Sequence, residues 1–128
     1  MKYLSSEWLD AVRAAVSTDA ELAEAAADTE LVLQQVVTGT PFGEVAYFIT
    51  FDRGEVYVQA GVASSSDVAF TQDYETAVAV HEGRSNALEA FQSGRISIKG
   101  EVAKLTANQG VIGRLDSAFS AVNSSVEF

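Results

Sequence analysis

The stretch of sequence that decides the fold is residues 67–105, DVAFTQDYETAVAVHEGRSNALEAFQSGRISIKGEVAKL. It begins with a short apolar strand at residues 68–71, which leads directly into a helix capped by Asp73. A second capped helix follows and ends at Gly94, and residues 95–100 then alternate as a second strand. The pattern predicts a strand–helix–helix–strand unit.

Two helices are predicted ahead of this unit. Ser5 or Ser6 caps the first helix, and apolar residues then recur at helical spacing. These apolar residues are Trp8, Leu9, Val12, Ala15 and Val16. Thr18, with Glu21 three residues later, is a capping-box pattern that predicts a second, short surface helix over residues 19–27.

Three strands and a last helix complete the predicted elements. The strands cover residues 30–37, 44–51 and 55–60. Gly54 supplies the positive φ angle that a tight hairpin turn needs between the second and third of them. The C-terminal helix is indicated by an apolar stripe: Ile112, Leu115, Phe119 and Val122.

A meander of strands with helices before and after it is typical of the α+β class. We therefore predict a five-stranded, mainly antiparallel sheet with helices packed on one face around an apolar core or tunnel. The chain of 128 residues contains no internal repeat and no linker, so residues 1–128 are predicted to form a single domain.

Composition excludes several classes of partner. The net charge of −10 argues against nucleic acid and against anionic membranes as standing partners. No apolar run approaches the roughly 20 residues that span a bilayer, so stable membrane insertion is not expected. The chain has no cysteine and does not begin with an apolar signal segment, which predicts a cytoplasmic protein.

Few residues are suited to catalysis or metal binding. His81 is the only histidine, and no nucleophile-elbow pattern accompanies it. A zinc site would need several carboxylates at ligand spacing, and none cluster in that way. The sequence therefore predicts neither an enzyme nor a metal or cofactor site.

Positive charge concentrates in the last third of the chain, where residues 84–114 hold five of the eight lysines and arginines. These charges either form a solvated strand face that prevents pairing at the sheet edge, or receive an anionic head group or acidic partner. Alternation places Arg95 and Lys99 opposite Ile96 and Ile98, which favours the solvated face.

The supply of apolar surface exceeds the need of a sheet with one covered face. Residues 44–51 are apolar on both faces, and apolar stripes lie on the first, third, fourth and last helices. Either this surface fills one ordinary core, or it lines a cavity that an apolar ligand fills. Taken alone, the pattern of apolar residues favours the ordinary core.

The segments Asp67–Thr71, Ala90–Gly94 and Ile96–Gly100, in this order, resemble the sterol carrier protein 2 family of small lipid-binding domains. The resemblance covers nearly the whole chain in element order and is specific in sequence over residues 67–105. It implies a five-stranded sheet with helices on one face, and an apolar tunnel for fatty acids, acyl-CoA or sterols.

The leading hypothesis is therefore non-enzymatic binding, with or without transfer, of a lipid in an apolar tunnel. The predicted ligand-binding residues are Phe48, Tyr57, Phe70, Tyr74, Val78, Leu88, Phe91, Ile96, Ile98, Leu115, Phe119 and Val122. The alternative is a protein–protein or homodimerisation module that buries the surplus apolar surface without a small ligand. A third hypothesis is an enzyme that uses His81.

Overall fold

The sheet of this computed structural model confirms the predicted α+β class. Its strands are β1 (Glu30–Thr40), β2 (Gly43–Asp52), β3 (Glu55–Ala60), β4 (Val68–Asp73) and β5 (Ile96–Gly100). The structure describes residues 2–82, 84, 87–124 and 126, and within them these five strands form one sheet in the order β3-β2-β1-β4-β5. β1 and β4 pair in parallel, and the other three pairings are antiparallel.

The helices follow the predicted order with one addition. They are α1 (Ser6–Ser17), α2 (Ala20–Ala25), α3 (Tyr74–His81), α4 (Ala87–Gln92), α5 (Val102–Ala107) and α6 (Gln109–Asn123). The helix α5 was not predicted from the sequence. The side chain of Ser5 accepts a hydrogen bond from the backbone N–H of Trp8, and that of Asp73 accepts one from Thr76, so both caps begin the helices as predicted.

The predicted cap of the second helix was wrong by one residue. Asp19, and not Thr18, caps α2: its carboxylate accepts a hydrogen bond from the backbone N–H of Leu22 at 3.0 Å. The hydroxyl of Thr18 instead donates to the carbonyl oxygen of Ala14 at 2.9 Å, because Thr18 closes the C-terminus of α1. A charged carboxylate at this position also interacts favourably with the positive end of the helix dipole.

Pairing register determines which side chains share a face of the sheet. We call the face that carries Leu33, Ile49, Val58, Val68 and Ile96 the helix face. The opposite face, which we call the outer face, carries Gln34, Phe48, Tyr57, Ala69 and Ser97. Side chains from α1, α3 and α6 join the helix face in one hydrophobic core.

Candidate functional site

An inner cavity of about 160 Å³ lies against the helix face of the sheet. Four strands and two helices contribute to its walls, so residues far apart in sequence meet there. The lining residues are Leu33, Gln35, Tyr47, Ile49, Phe70, Gln72, Val80, Ile96, Ile112, Leu115 and Phe119. The walls are mainly aliphatic and aromatic, with two glutamine side chains among them.

A wider and more open groove of about 350 Å³ adjoins this cavity. Its walls come from β4, α5 and α6: Phe70, Leu105, Thr106, Gln109, Ile112 and Gly113. Phe70 and Ile112 line both spaces, so the groove and the inner cavity share these two side chains.

The size of the two spaces limits what each can hold alone. Pockets for drug-sized ligands measure roughly 300–1,000 Å³, whereas an apolar cavity of about 150 Å³ accepts a molecule the size of benzene. The inner cavity, at about 160 Å³, accommodates only one end of a lipid in this conformation. Binding of a whole lipid therefore needs the groove as well.

Aromatic rings support the wall of the inner cavity from behind. Trp8 of α1 is fully buried, and its ring meets Tyr47 and Phe119 edge to face at centroid distances of 5.5 and 5.9 Å. Tyr3 packs against the same indole at 5.1 Å. Because Tyr47 and Phe119 line the cavity, the packing of Trp8 fixes the position of two of its walls.

The cavity walls carry no charge within the part of the chain that the structure describes. The described residues also contain no cluster of His, Asp or Glu side chains that could hold a metal ion. What the arrangement can do chemically is bury apolar surface and offer amide groups for hydrogen bonding.

The side of the groove is held by an ion-pair cluster, which we call the Asp67 cluster: Asp67, Glu101 and Lys104. The Lys104 ammonium lies 2.5 Å from Asp67 Oδ1 and 3.1 Å from Glu101 Oε2. Asp67 Oδ2 also accepts a hydrogen bond from the backbone N–H of Val32 at 2.8 Å. The cluster therefore ties α5, which carries the groove residue Leu105, to the start of β4 and to β1.

The same contacts shift two pKa values in opposite directions. The hydrogen bond from Lys104 is the main cause that lowers the pKa of Asp67, and the Val32 N–H adds to it against the opposing effect of burial. Hydrogen bonds to Asp67 and then Glu101 raise the pKa of Lys104. Both groups are therefore held in their charged forms near neutral pH.

Asp67→Asn is expected to make the protein less stable near neutral pH and to lose this difference in acid. Because the folded-state pKa of Asp67 is lowered, its stabilisation is complete above about pH 4 and is lost as the pH falls through the folded-state value. Urea unfolding at about pH 7 and about pH 3 measures the difference. Asp73, whose pKa is lowered by its hydrogen bonds to Thr76, titrates in both proteins.

Lys104→Met should reproduce this behaviour, and the double variant should add little to either single change. A difference in unfolding free energy that stays constant with pH would contradict the assignment.

Four of the predicted ligand-binding residues line the inner cavity: Phe70, Ile96, Leu115 and Phe119. Val78 is buried in the core nearby, and Tyr74, Ile98 and Val122 are half-buried and pack against that core. Tyr74 lies 6.1 Å from the ring of Tyr3. The structure thus brings these residues into or next to one apolar cluster.

The other predicted residues lie elsewhere. Phe48 and Tyr57 are on the outer face, because alternation along β2 and β3 directs Ile49 and Val58 to the helix face instead. Neither residue lines the inner cavity or the groove, and their predicted role in ligand binding stays a prediction. Phe91 is 44 % exposed, since it lies on the solvent side of α4.

Two predictions concern residues whose side chains the structure does not describe. The side chains of Leu88 and His81 lie outside the described part of the chain, so their predicted roles stay predictions.

The sequence analysis missed much of the cavity wall. The missed residues are Leu33, Gln35, Tyr47, Ile49, Gln72, Val80 and Ile112 in the inner cavity, and Leu105, Thr106, Gln109 and Gly113 in the groove. Ile112 belongs to the predicted apolar stripe of the last helix, and that stripe was the available signal. Val102 and Leu105 share the i, i+3 spacing of a helix, which signals α5 weakly.

The basic residues of the last third do not surround the cavity. Lys99 is exposed on the outer face, where it pairs across the strands with Ala69. Lys104 belongs to the Asp67 cluster, and Arg114 pairs with Glu21 on α2. None of these three cations lines the inner cavity or the groove.

Comparison with known families and structures gives one consistent result. The model of the SCP-2 sterol transfer family matches residues 9–113. No curated protein sequence is similar enough to count as a match. Within the described residues, no helix combines the length and apolar character that a bilayer-spanning segment needs.

Solved structures show the same fold at low sequence identity. A conserved hypothetical protein of Thermus thermophilus, suggested to be a sterol carrier protein, has a TM-score of 0.74 at 23 % identity, over 95 % of this chain and 90 % of that one. A crystal structure of sterol carrier protein 2 also has a TM-score of 0.74, at 22 % identity, over 93 % and 98 %. The palmitated form of an Aedes aegypti member has a TM-score of 0.61 at 22 % identity, over 84 % and 94 %.

Proposed function

Because this chain belongs to the SCP-2 sterol transfer family, we propose that it binds one lipid molecule and encloses its apolar part between the sheet and α6. The observation that carries the proposal is the inner cavity, an uncharged space against the helix face of the sheet. It shares the lining residues Phe70 and Ile112 with an open groove. Fatty acids, acyl-CoA and sterol-like molecules are the candidate ligands. The protein acts by binding, with or without transfer, and performs no chemistry on the lipid.

Burial of apolar surface supplies the driving force. Each methylene removed from water contributes about 0.8 kcal/mol, so ten of them contribute on the order of 8 kcal/mol before ordering costs. One end of the ligand occupies the inner cavity, and the remainder lies in the groove between Phe70 and α5. Because Phe70 and Ile112 line both spaces, we expect that movement of these two side chains admits the ligand.

The direct experiment is extraction of the purified protein with organic solvent, followed by mass spectrometry of any lipid that co-purifies. A displacement assay with a fluorescent fatty acid then measures affinity for candidate lipids. The contrary result is that no lipid co-purifies, that no candidate lipid displaces the probe and that the protein forms a stoichiometric dimer. In that case homodimerisation replaces lipid binding as the function.

A matched pair of glycines in α6 tests the position of the ligand. Gly113→Leu places a side chain in the groove, and we expect it to weaken binding of the fluorescent fatty acid about tenfold or more. Gly110→Leu is the control: this residue lies in the same helix and does not line either space. An added Cβ meets nothing within 4 Å at either residue, so both variants should fold.

Both substitutions also remove the same helix penalty of glycine, about 1 kcal/mol. Equal affinities of Gly113→Leu and Gly110→Leu for the probe would place the ligand outside the groove.

A further inference from the structure

Gln72 lines the apolar cavity and carries an unsatisfied polar atom. Its side chain lines the inner cavity, and its amide oxygen Oε1 is buried without a hydrogen-bond partner among the described residues. Leaving a buried acceptor unpaired costs roughly 1–3 kcal/mol. An apolar side chain at residue 72 avoids this cost, so the glutamine requires an explanation other than packing.

A second amide lies on the same wall. Gln35 of β1 also lines the inner cavity, and it pairs across the parallel strands with Phe70. Gln72 pairs with Val37, so the two glutamines are diagonal neighbours on the helix face. The rest of the lining is aliphatic or aromatic. The wall therefore combines two neutral amides and the phenol of Tyr47 with an apolar surround, the usual composition of a selective ligand site.

We propose that Gln72, with Gln35 beside it, hydrogen-bonds the hydroxyl group of a neutral lipid alcohol that enters the cavity polar end first. This inference rests on the proposed function and specifies its ligand class. A hydroxyl both donates and accepts, so it satisfies the amide in either orientation of the Gln72 side chain. The apolar remainder of the alcohol extends past Phe70 and Ile112 into the groove.

The charge of the walls argues for an alcohol over a carboxylate. No described residue that lines either space is charged, so a carboxylate in the inner cavity would be buried without a cation. Burying an unpaired charge costs far more than burying a hydroxyl that is hydrogen-bonded. A purely alkyl end is also disfavoured, because it leaves Gln72 Oε1 unpaired.

The test compares three ligands with the same alkyl chain: dodecanol, dodecanoic acid and the methyl ether of dodecanol, which cannot donate a hydrogen bond. Each displaces a fluorescent fatty acid from the native protein, from Gln72→Met and from Gln59→Met. Gln59 is an exposed residue of the outer face and serves as the control. Methionine resembles glutamine in length and flexibility but has no amide.

The native protein and Gln59→Met are expected to bind dodecanol about tenfold more tightly than the ether. Gln72→Met should lose this preference and bind the ether at least as well as the native protein does. Without ligand, Gln72→Met should also melt at an equal or higher temperature, because the unpaired acceptor is gone. Gln35→Met, which changes the neighbouring amide, should reduce the preference for dodecanol as well, and it replaces Gln72→Met if that variant does not fold.

An unchanged preference for dodecanol in Gln72→Met would overturn the proposal and leave water as the partner of this amide. Equal binding of alcohol, acid and ether by the native protein would overturn it too, while lipid binding itself would stand. If none of the three displaces the probe and the native protein retains no lipid, the proposed function fails and this inference fails with it.

Discussion

Replacing Trp8 with alanine is expected to lower the free energy of unfolding by about 3–5 kcal/mol, the range typical of a buried tryptophan truncated to alanine. The indole is fully buried and makes edge-to-face contacts with Tyr3, Tyr47 and Phe119. The substitution therefore removes apolar burial and three ring contacts at once, and it leaves a void behind the cavity wall.

Chemical denaturation followed by far-ultraviolet circular dichroism measures the loss. Val62→Ala is the control, because Val62 is 75 % exposed and its truncation should change the free energy by less than about 0.5 kcal/mol. The wall residues Tyr47 and Phe119 lose support in Trp8→Ala, so lipid affinity should fall as well in the fraction that stays folded. A loss below about 1 kcal/mol would show that the aromatic cluster is not the centre of the core.

Gly100→Ala is the second substitution with a large expected effect, about 2–4 kcal/mol of unfolding free energy. Gly100 has a φ angle of +110°, a conformation that residues with a side chain rarely adopt. An added Cβ would overlap the carbonyl oxygen of Asp67, and would lie 3.2 Å from the Cα of Val68. These neighbours are backbone atoms of the paired strand, so they cannot move aside cheaply.

Gly110→Ala should change the free energy of unfolding in the opposite direction. Its Cβ meets nothing within 4 Å and the residue lies in α6, so this change should stabilise the protein by up to about 1 kcal/mol. Thermal unfolding of the two variants beside the native protein measures both effects. Equal melting temperatures for Gly100→Ala and the native protein would mean that the end of β5 relaxes without cost.

Much of the fold was predictable because its signals are local. The hairpin turn at Gly54, which has a φ angle of +94°, and the cap at Asp73 each depend on a few neighbouring residues. Alternation at Ile96 and Ile98 gave the strand and its buried face from the sequence alone. Element order follows from such signals without knowledge of tertiary contacts.

The candidate site was less predictable because it depends on pairing between distant strands. Both faces of residues 44–51 are apolar, so alternation could not decide whether Phe48 or Ile49 faces the helices. The pairing of Ile49 with Leu33 and of Leu33 with Val68 decides it. Long-range register of this kind has no local signature.

Two further features could not be predicted from the sequence. Gly100 ends a strand in the sequence pattern, and only the approach of the Asp67 backbone shows why glycine is required there. The helix α5 is six residues long and has no side-chain cap, so it lacks the signals that identified Ser5 and Asp73.

The parallel pairing of β1 with β4 divides the sheet into two parts that differ in when they can assemble. β1, β2 and β3 are joined by tight turns, whereas β4 can pair with β1 only after the intervening strands have folded back. Closure of longer loops slows formation of such contacts, so β4, β5 and α6 should join the structure late in folding.

The same boundary runs through the inner cavity. Leu33 and Ile49 belong to the early part of the sheet, and Phe70 and Gln72 belong to the late part. Under native conditions, proteins open locally in cooperative units that often coincide with supersecondary motifs. A partial opening along β1 and β4 would separate the cavity walls without global unfolding. Under the proposed function, the free energy of that opening would limit how long a lipid is retained.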